Sequence, residues 1–431
     1  MPGRYRAATL RVMTATGTER WRALLCDSDA TRAVDIAENI GDELAAAEGT
    51  DASLDLFTPV LDAHLAIALD SDRHADRALN AVAHRFGRTA ALSSPALYGG
   101  LAGLGWMAAH VTNILGCGIE ADEIDPLEEI DRTLNEIAAH RVEKYDLISG
   151  LAGIGAYAFE RMPRDQAQAL LERIIDRLAG DAETMPAGVT WYTPAHLLPE
   201  HQRKVAPHGY YNLGVAHGTP ALAVTLARAV SAGIRTDVAR RLLNDLMRWI
   251  FGQRSSAGIG GRFASWVPKD LPPAQGNSRE AWCYGGLGLS VALLNAARIV
   301  GDLPSEELAL DVARLEAARP IEHSGVNDMC LCHGGAGNAH LYNRLYQATG
   351  EDVFLDAARK WLHVTLNASR PRSGVGGYLF WTPNESGIGT SLTPEPTFLS
   401  GSAGVGLALL AASTTCNPSW DRLLLADLPL G

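Results

Sequence analysis

Cysteine and histidine side chains stand close to glycines at two points in the second half of the chain. Cys283 lies two positions before Gly285, and Cys332 and His333 directly precede Gly334. Two thiolates and one imidazole supply three of the four ligands of a tetrahedral zinc ion, and a site with three protein ligands keeps its fourth position open for a substrate. The pattern predicts a catalytic metal centre.

A structural metal site is the alternative, and it would normally be closed by a fourth Cys or His. Cys330 is the nearest candidate for that ligand. A packing role is a further alternative for each of these thiols, because most buried cysteines are inert. The ligand types alone do not decide between these alternatives, whereas the positions of the two segments within the whole chain are more informative.

Length, charge and cysteine content narrow the class of protein. The chain has 431 residues, 47% of them hydrophobic, and a formal net charge of −12. Such an acidic chain is a poor match for nucleic acid or anionic lipid, so we expect a peptide or small-molecule partner. Six cysteines are too few for a disulfide framework at this length, and no apolar signal segment follows Met1. We therefore expect a cytoplasmic protein with reduced thiols.

Two stretches, residues 89–119 and 396–420, contain no Asp, Glu, Lys or Arg. Each is long enough to cross a membrane. Because both are rich in Gly, Ser, Thr and Pro, we predict buried helices that begin at glycine-rich turns, and a protein without transmembrane segments.

A glycine turn followed by an apolar helix recurs along the chain. The signature has a glycine, a second small residue three positions later, and then apolar residues; it starts at Gly100, Gly150, Gly218, Gly285, Gly334 and Gly401. Other segments combine apolar residues at the helical period with a charged opposite face. These are predicted outer helices, at residues 31–48, 73–85, 122–140, 165–178, 236–250, 305–318 and 352–366.

Seven outer helices thus alternate with seven inner ones, of which the first, residues 53–69, lacks the glycine signature. Helices that are apolar nearly all round belong inside an assembly, and amphipathic ones belong outside. The alternation predicts an all-α fold, an α/α toroid of two concentric rings in which the last inner helix meets the first. A linear α-solenoid is the alternative, but polar capping repeats are nearly absent from the ends of the chain.

In such a ring all inner helices begin at the same end, so the residues just before the glycine turns converge on one mouth. These residues are Asp146, His217, Cys283, Cys332 and His333. Helix N-termini carry unpaired N–H groups and the positive end of the helix dipole, which favour thiolates and developing oxyanions. The repeat therefore brings the candidate metal ligands together with an imidazole and a carboxylate.

Four segments at this mouth resemble motifs of the lanthionine synthetase C family, the cyclases of lanthipeptide biosynthesis. They are Asp146-Leu-Ile-Ser-Gly150, Gly214-Val-Ala-His217-Gly218, Arg279-Glu-Ala-Trp-Cys283-Tyr-Gly and Cys332-His333-Gly334. The resemblance implies a double-ring α-toroid that holds one zinc ion through Cys283, Cys332 and His333. It begins near residue 31, which divides the chain into an N-terminal extension, residues 1–30, and one catalytic domain, residues 31–431.

The resemblance also implies an activity. A cysteine of a precursor peptide adds to a dehydroalanine or dehydrobutyrine, made earlier from Ser or Thr, and closes a thioether ring. Because the toroid accounts for almost the whole chain, it resembles the stand-alone cyclase of a two-enzyme system. We accordingly expect as partners a dehydrated precursor peptide with its leader, a separate dehydratase and an export transporter, with a link to the membrane through that complex.

Addition of a thiol to an unsaturated amide requires a thiolate, and afterwards a proton for the enolate carbon. His217 is suited to proton transfer near neutral pH. Asp146 and Arg279 are candidates to orient one another or His217, and Arg279 or Tyr284 to hold the enolate oxygen. The alternatives are that Asp146 caps a helix, Arg279 is a solvated surface residue, His217 is a core histidine and Tyr284 packs beside the metal.

Three long connections remain, residues 181–215, 252–282 and 370–399, and they are rich in Gly, Pro, Ser and Trp. Loops of this length are usually functional. We predict that they form a lid or groove for an extended peptide, with His208, Tyr210 and Asn212 as candidate lining residues. Ordinary surface connections are the alternative.

Two other functions compete with the cyclase. One is an enzyme of the same fold that adds a small thiol such as glutathione to an electrophile. The other is a scaffold with a structural zinc that only presents a peptide, although a scaffold has no need of His217, Asp146 and Arg279 beside a metal. Glycoside hydrolysis, a chemistry of other toroids, needs two facing carboxylates, whereas Asp146 is the single carboxylate among the turn-proximal positions.

Overall fold

A computed structural model describes residues 20–47, 55–87, 92, 94–117, 125–140, 142–255, 263–270, 278–383 and 389–430. In chain order its α-helices are α1 Asp27–Ala47, α2 Thr58–Leu69, α3 Asp72–Phe86, α4 Leu101–Ile114, α5 Glu128–His140, α6 Leu151–Glu160, α7 Asp165–Asp181, α8 Glu200–Val205, α9 Thr219–Ser231, α10 Thr236–Gly252, α11 Gly286–Val300, α12 Leu303–Ala317, α13 Gly335–Thr349, α14 Asp352–Ala368 and α15 Ser402–Ser413.

The helices form an inner and an outer set that follow the predicted alternation. α4 and α15 carry no charged residue except histidine and are buried along most of their length. α10 is amphipathic, with Leu243 and Leu246 buried and Arg240 exposed. The outer set is α1, α3, α5, α7, α10, α12 and α14, and the inner set is α2, α4, α6, α9, α11, α13 and α15. The predicted starts of α2 and α5, residues 53 and 122, lie outside the described residues.

The inner helices form a closed ring. Each inner helix packs against the next one in chain order, and the last, α15, packs against both α13 and α2. The outer helix α1 packs against α15, so the two ends of the chain meet. This closure confirms the predicted α/α toroid over the linear solenoid.

Backbone hydrogen bonds join the turns that precede neighbouring inner helices. Four N–H groups donate to carbonyls of the next turn: Tyr98 to Ile148 at 3.1 Å, Ile148 to Ala216 at 3.3 Å, Cys283 to Cys332 at 3.1 Å and Cys332 to Leu399 at 2.9 Å. Asp55 joins the turns before α2 and α15, since its carboxylate accepts from the N–H of Phe57 at 2.9 Å and from that of Phe398 at 2.8 Å. The N-termini of the inner helices therefore converge on one mouth, as the repeat predicted.

The second glycine of the repeat is required by a close approach of backbone. A Cβ added at Gly103 would lie 1.9 Å from the carbonyl oxygen of Leu97, and one added at Gly337 would lie 2.0 Å from that of Leu331. In both turns the chain folds back onto the first turn of its own inner helix. A larger residue would push the turn away from the helix, and the turn carries the candidate site residues.

The C-terminal segment fills the ring from the end opposite the mouth. Residues Ser419–Leu424 form a short 3-10 helix in which Asp421 is buried between His340 and Arg344 of α13. The indole N–H of Trp282 donates to the carbonyl of Leu424 at 2.8 Å. We call this segment the C-terminal plug, and its position was not predicted from the sequence.

The N-terminal residues before α1 also pack on the ring. Trp21 is buried and donates its indole N–H to the carbonyl of Ala411 at 2.6 Å, and Arg344 lies over its ring. The backbone N–H of Leu24 donates to the carbonyl of Ala412. Residues 20–26 are thus joined to α15, and the division of the chain at residue 30 stays a prediction.

Short β-strands lie in the long connections. They are β1 Glu183–Met185, β2 Gly188–Thr190, β3 Tyr192–Thr193, β4 Tyr210–Asn212, β5 Trp266–Pro268, β6 Phe380–Pro383 and β7 Thr390–Thr393. β1 pairs with β2 and β6 with β7, and β4 lies between β3 and β5; all these pairs are antiparallel. The three-stranded sheet stands beside the mouth, because β4 leads directly into the turn before α9.

No described helix has both the length and the apolar character needed to span a membrane. The two charge-free stretches instead form α4 and α15, buried helices that begin at glycine turns, as predicted.

The repeat glycines are expected to be more sensitive to substitution than other helical glycines. Gly103→Ala should lower the free energy of unfolding by about 1–3 kcal/mol, because the added methyl group meets a backbone carbonyl that cannot move independently. Gly180→Ala is the matched control: its Cβ meets nothing within 4 Å on α7, and it should raise stability by about 0.5–1 kcal/mol. Denaturant titration measures both. Equal stability of the two variants would contradict this account of the turn.

Candidate active site

The three predicted metal ligands lie together at the mouth. Cys283 precedes α11, and Cys332 and His333 precede α13; their ligand atoms all lie within 4.8 Å of one another. The backbone hydrogen bond from Cys283 to Cys332 joins the two turns that carry them. Ligands of a tetrahedral zinc ion stand roughly 3.3–3.8 Å apart, as follows from Zn–S and Zn–N bonds of about 2.0–2.3 Å. The donor set and its compactness therefore fit zinc.

The two thiols of this set differ in acidity. The pKa of Cys283 is lowered to about 5, chiefly by a hydrogen bond from the thiol of Cys332, with His333 and Arg279 acting in the same direction against burial. The pKa of Cys332 is raised, because its proton is held in that bond and the side chain is buried. The hydrogen bond between the two thiols therefore favours a thiolate at Cys283, the protonation state that a metal ligand requires.

A second set of ligand types shares His333. Asp328, Cys330 and His333 also have ligand atoms within 4.8 Å of one another. However, Cys330 is 1% exposed, its pKa is raised by burial, and its sulfur accepts from the backbone N–H of His333 at 3.5 Å. The carboxylate of Asp328 already accepts from the N–H groups of Cys330 and Trp381. These contacts favour a structural role for Asp328 and Cys330 within the ligand-bearing turn.

His217 and Asp146 form a hydrogen-bonded pair. Nδ1 of His217 lies 3.0 Å from Oδ2 of Asp146, and the imidazole is 45% exposed at the mouth. The other oxygen of Asp146 accepts from the N–H of Ser149 at 2.7 Å. The carboxylate thus makes a local turn contact and orients the imidazole. It does not cap α6, because the cap residue of that helix is Gly150, with no side-chain hydrogen bond.

Tyr284 and Arg279 flank the metal ligands differently. The hydroxyl of Tyr284 accepts from the side-chain amide of Asn212 at 3.1 Å, and burial raises its pKa, so the phenol stays protonated. Arg279 is exposed, and its positive charge lowers the pKa of Cys283 and of Cys332. Arg279 therefore acts on the two thiols through its positive charge. Tyr284 instead lines the same cavity as His217.

A cavity of about 360 Å³ opens beside the His217–Asp146 pair. It is lined by Glu143, Lys144, Tyr145, Asp146, Tyr192, Thr193, Leu197, Leu198, Pro199, Gln202, Tyr210, His217 and Tyr284. Its walls come from the turn before α6, from the three-stranded sheet and from the segment around α8. The long connection of residues 181–215 thus supplies much of the cavity, whereas a peptide-binding role of the three long connections stays a prediction.

Several lining residues were not singled out in the sequence. Tyr145 directly precedes Asp146 and bonds to Thr193 at 2.9 Å, and its position before a glycine turn was the available signal. Tyr192 and Gln202 gave no signal, because strand β3 and helix α8, which carry them, are too short to show a period in the sequence. Among the candidates from the loop, Tyr210 lines the cavity and Asn212 is buried beneath it, whereas His208 is exposed.

Comparison with known proteins indicates the same family as the sequence motifs. The family model described as lanthionine synthetase C-like protein matches residues 64–425. The chain is 23% identical over 313 residues to the nisin biosynthesis protein NisC of Lactococcus lactis subsp. lactis, which covers 67% of this chain and 72% of the relative. It is 31% identical over 94 residues, 21% of each chain, to the LanC-like protein GCL1 of Arabidopsis thaliana.

A solved structure of nisin cyclase resembles the toroid. The TM-score is 0.69 at 19% identity, and the match covers 93% of this chain and 98% of the other. At this identity the likeness shows the fold alone.

The two overlapping ligand sets are distinguished by mutation. Cys332→Ala should abolish stoichiometric zinc binding, because it removes one of two thiolates, whereas Cys330→Ala should retain it. Metal analysis after dialysis measures zinc content, and substitution with Co²⁺ reports the number of thiolate ligands through charge-transfer absorption. Full zinc in Cys332→Ala, or its loss in a folded Cys330→Ala, would overturn the assignment to Cys283, Cys332 and His333.

Proposed function

Because the chain belongs to the lanthionine synthetase C-like family, we propose that it is a zinc-dependent lanthipeptide cyclase. In this proposal the thiol of a precursor-peptide cysteine adds to the β-carbon of a dehydroalanine or dehydrobutyrine in the same peptide. A carbon–sulfur bond forms, the double bond is lost, and the α-carbon gains a proton. The observation that carries the proposal is the meeting of two thiols, an imidazole and the His217–Asp146 pair at one mouth.

Cys283, Cys332 and His333 are the residues that would hold one zinc ion per chain. When bound there, zinc would supply the acidity that keeps an incoming thiol deprotonated at neutral pH. The two thiolate ligands offset the positive charge of the metal, so a bound sulfur stays electron-rich. The exposed guanidinium of Arg279 adds positive charge near the same sulfurs.

His217 is proposed as the proton-transfer group. Its Nδ1 is held by Asp146 at 3.0 Å, which leaves Nε2 as the nitrogen available for proton exchange with a substrate. Asp146 favours the tautomer with the proton on Nδ1 and stabilises an imidazolium. The pair has the geometry of an oriented general acid and base, since the imidazole is 45% exposed and lines the cavity.

Tyr284 is proposed to hold the enolate oxygen. It is protonated, it lines the same cavity as His217, and it directly follows the ligand Cys283. A neutral hydroxyl aimed at a carbonyl oxygen stabilises the charge that develops there during addition. The substrate carbonyl would thus lie between the metal ligands and the imidazole.

The proposal implies partners of a defined chemistry. The substrate is a precursor peptide with its leader, in which a separate dehydratase has already converted Ser or Thr, and an export transporter takes the product. The relative named for nisin biosynthesis supports a peptide substrate. We propose that the chain acts in the cytoplasm, with a membrane link through this complex.

His217→Ala tests whether the chain catalyses proton transfer. It should retain stoichiometric zinc and still bind the peptide, while ring closure slows by about 10²–10⁴-fold, the usual contribution of a positioned acid or base. Asp146→Asn should also slow ring closure, because an amide can keep the turn contact with Ser149 but cannot stabilise an imidazolium. The measurement is loss of alkylatable thiol over time, followed by mass spectrometry and by chiral analysis of the thioether.

The substrate for this measurement is a linear peptide that carries one dehydrobutyrine and one cysteine. The matched control is the peptide alone, since dehydrated peptides also cyclise slowly without protein. A parallel reaction with glutathione and a cysteine-free dehydrobutyrine peptide tests the small-thiol alternative. Ring closure by His217→Ala at the wild-type rate would remove His217 from the mechanism, and faster glutathione addition than ring closure would favour the alternative function.

A further inference from the structure

Asn212 lies beneath the cavity floor, and its side-chain amide has a partner on each side. Its Oδ1 accepts from the backbone N–H of Gly214 at 2.8 Å. Its Nδ2 donates to the hydroxyl of Tyr284 at 3.1 Å and to that of Tyr210 at 3.3 Å. Because a backbone N–H can only donate, the contact with Gly214 fixes which end of the amide is the oxygen. The end that faces the two tyrosines can therefore only donate.

This arrangement determines where the two phenol protons point. A hydroxyl that accepts a hydrogen bond from an amide must turn its own proton toward another group. Tyr210 donates its proton to Oε1 of Gln202 at 2.8 Å. For the proton of Tyr284 the described residues provide no acceptor within hydrogen-bond distance, and its side chain lines the cavity with His217. The free proton of Tyr284 is thus left for a molecule in the cavity.

The three-stranded sheet keeps this arrangement rigid. Trp266 of β5 pairs with Asn212 of β4 in the sheet register. Its ring stacks on that of Tyr210 at 5.3 Å and meets that of Tyr284 edge-on at 6.3 Å. Asn212 itself is 0% exposed. Neither tyrosine ring is free to swing, so the direction of each O–H is set by its hydrogen-bond partners.

We propose that Asn212 is a positioning residue that directs the O–H of Tyr284 at the carbonyl oxygen of the dehydro residue. The inference rests on the proposed cyclase function and adds a specific role within that site. During addition the sulfur–carbon bond forms at the β-carbon, and the electron pair of the double bond moves toward the carbonyl oxygen. The hydroxyl of Tyr284 keeps its proton and only donates a hydrogen bond, which strengthens as the oxygen gains charge.

Two substitutions distinguish the positioning of the Tyr284 hydroxyl from a role of Asn212 in stabilising its own turn. Asn212→Asp keeps an acceptor for the N–H of Gly214 but replaces the donor by a second acceptor, which draws the proton of Tyr284 away from the cavity. Asn212→Ser also keeps an acceptor, because serine hydroxyls make the same local turn bond, and it introduces no charge. If one variant fails to fold, the other still tests the inference.

The experiment is a double-mutant cycle with Tyr284→Phe on the linear dehydrobutyrine and cysteine peptide. Each Asn212 variant and Tyr284→Phe should lower kcat in the same direction, by up to roughly 10²–10³-fold for loss of one oxyanion donor, with little change in KM. In the Tyr284→Phe background, either Asn212 substitution should cost almost nothing further. Zinc content and the denaturation midpoint, measured on every variant, report on structural damage.

Tyr211→Phe is the matched control. Tyr211 lies on the opposite face of β4, where its hydroxyl donates to Glu183 at 2.8 Å, so its loss should leave kcat unchanged. Folded, zinc-loaded Asn212 variants with wild-type kcat, or with losses that multiply with that of Tyr284→Phe, would overturn the inference while the cyclase function stands. A wild-type chain that forms no thioether from this peptide would overturn the proposed function and this inference with it.

Discussion

Backbone hydrogen bonds between neighbouring turns are the constraint on which the mouth depends. Each such turn ends in the glycine that opens an inner helix, and each bond crosses from one repeat to the next. The bond between Cys283 and Cys332 joins the two ligand-bearing turns directly. The backbone thereby holds thiols from separate repeats close together, and the hydrogen bond between the two thiols adds to this contact. Glycine is needed in these turns because a Cβ would meet a carbonyl oxygen.

The closed ring also gives the mouth its electrostatic character. All inner helices begin there, so their unpaired N–H groups and positive dipole ends face the same space. Such a field favours thiolates, and it would favour the enolate of the proposed thiol addition. The opposite end is filled by the C-terminal segment, whose Asp421 lies between His340 and Arg344.

The ring was predictable from the sequence because its signal is periodic. Recurring glycine turns and alternating apolar and amphipathic helices required two rings, and the position of Cys283 or His217 relative to a glycine indicated the mouth. The short strands gave no comparable signal, since two to four residues cannot show an alternation. The C-terminal plug has no periodicity either. Its role appears only in contacts such as that of Leu424 with Trp282.

Some side-chain roles were likewise predictable from the sequence, and others were seen only in the structure. The repeat predicted that His217 and Asp146 are neighbours, but whether Asp146 caps α6 or contacts the imidazole became clear only from its hydrogen bonds. Asn212 was recognised only as a lining candidate. Its effect on Tyr284 depends on which end of an amide faces a hydroxyl, and this follows from a three-dimensional contact with Gly214.

In the proposed site the mouth holds a metal through two thiolates and one imidazole and leaves one position for the substrate thiol. X-ray absorption at the zinc edge tests it directly on the wild-type chain, without and with a cysteine-containing peptide. We expect two sulfur neighbours of zinc without peptide and three with it. A single sulfur neighbour, as Asp328, Cys330 and His333 would give, or an unchanged sulfur number with peptide bound, would contradict it.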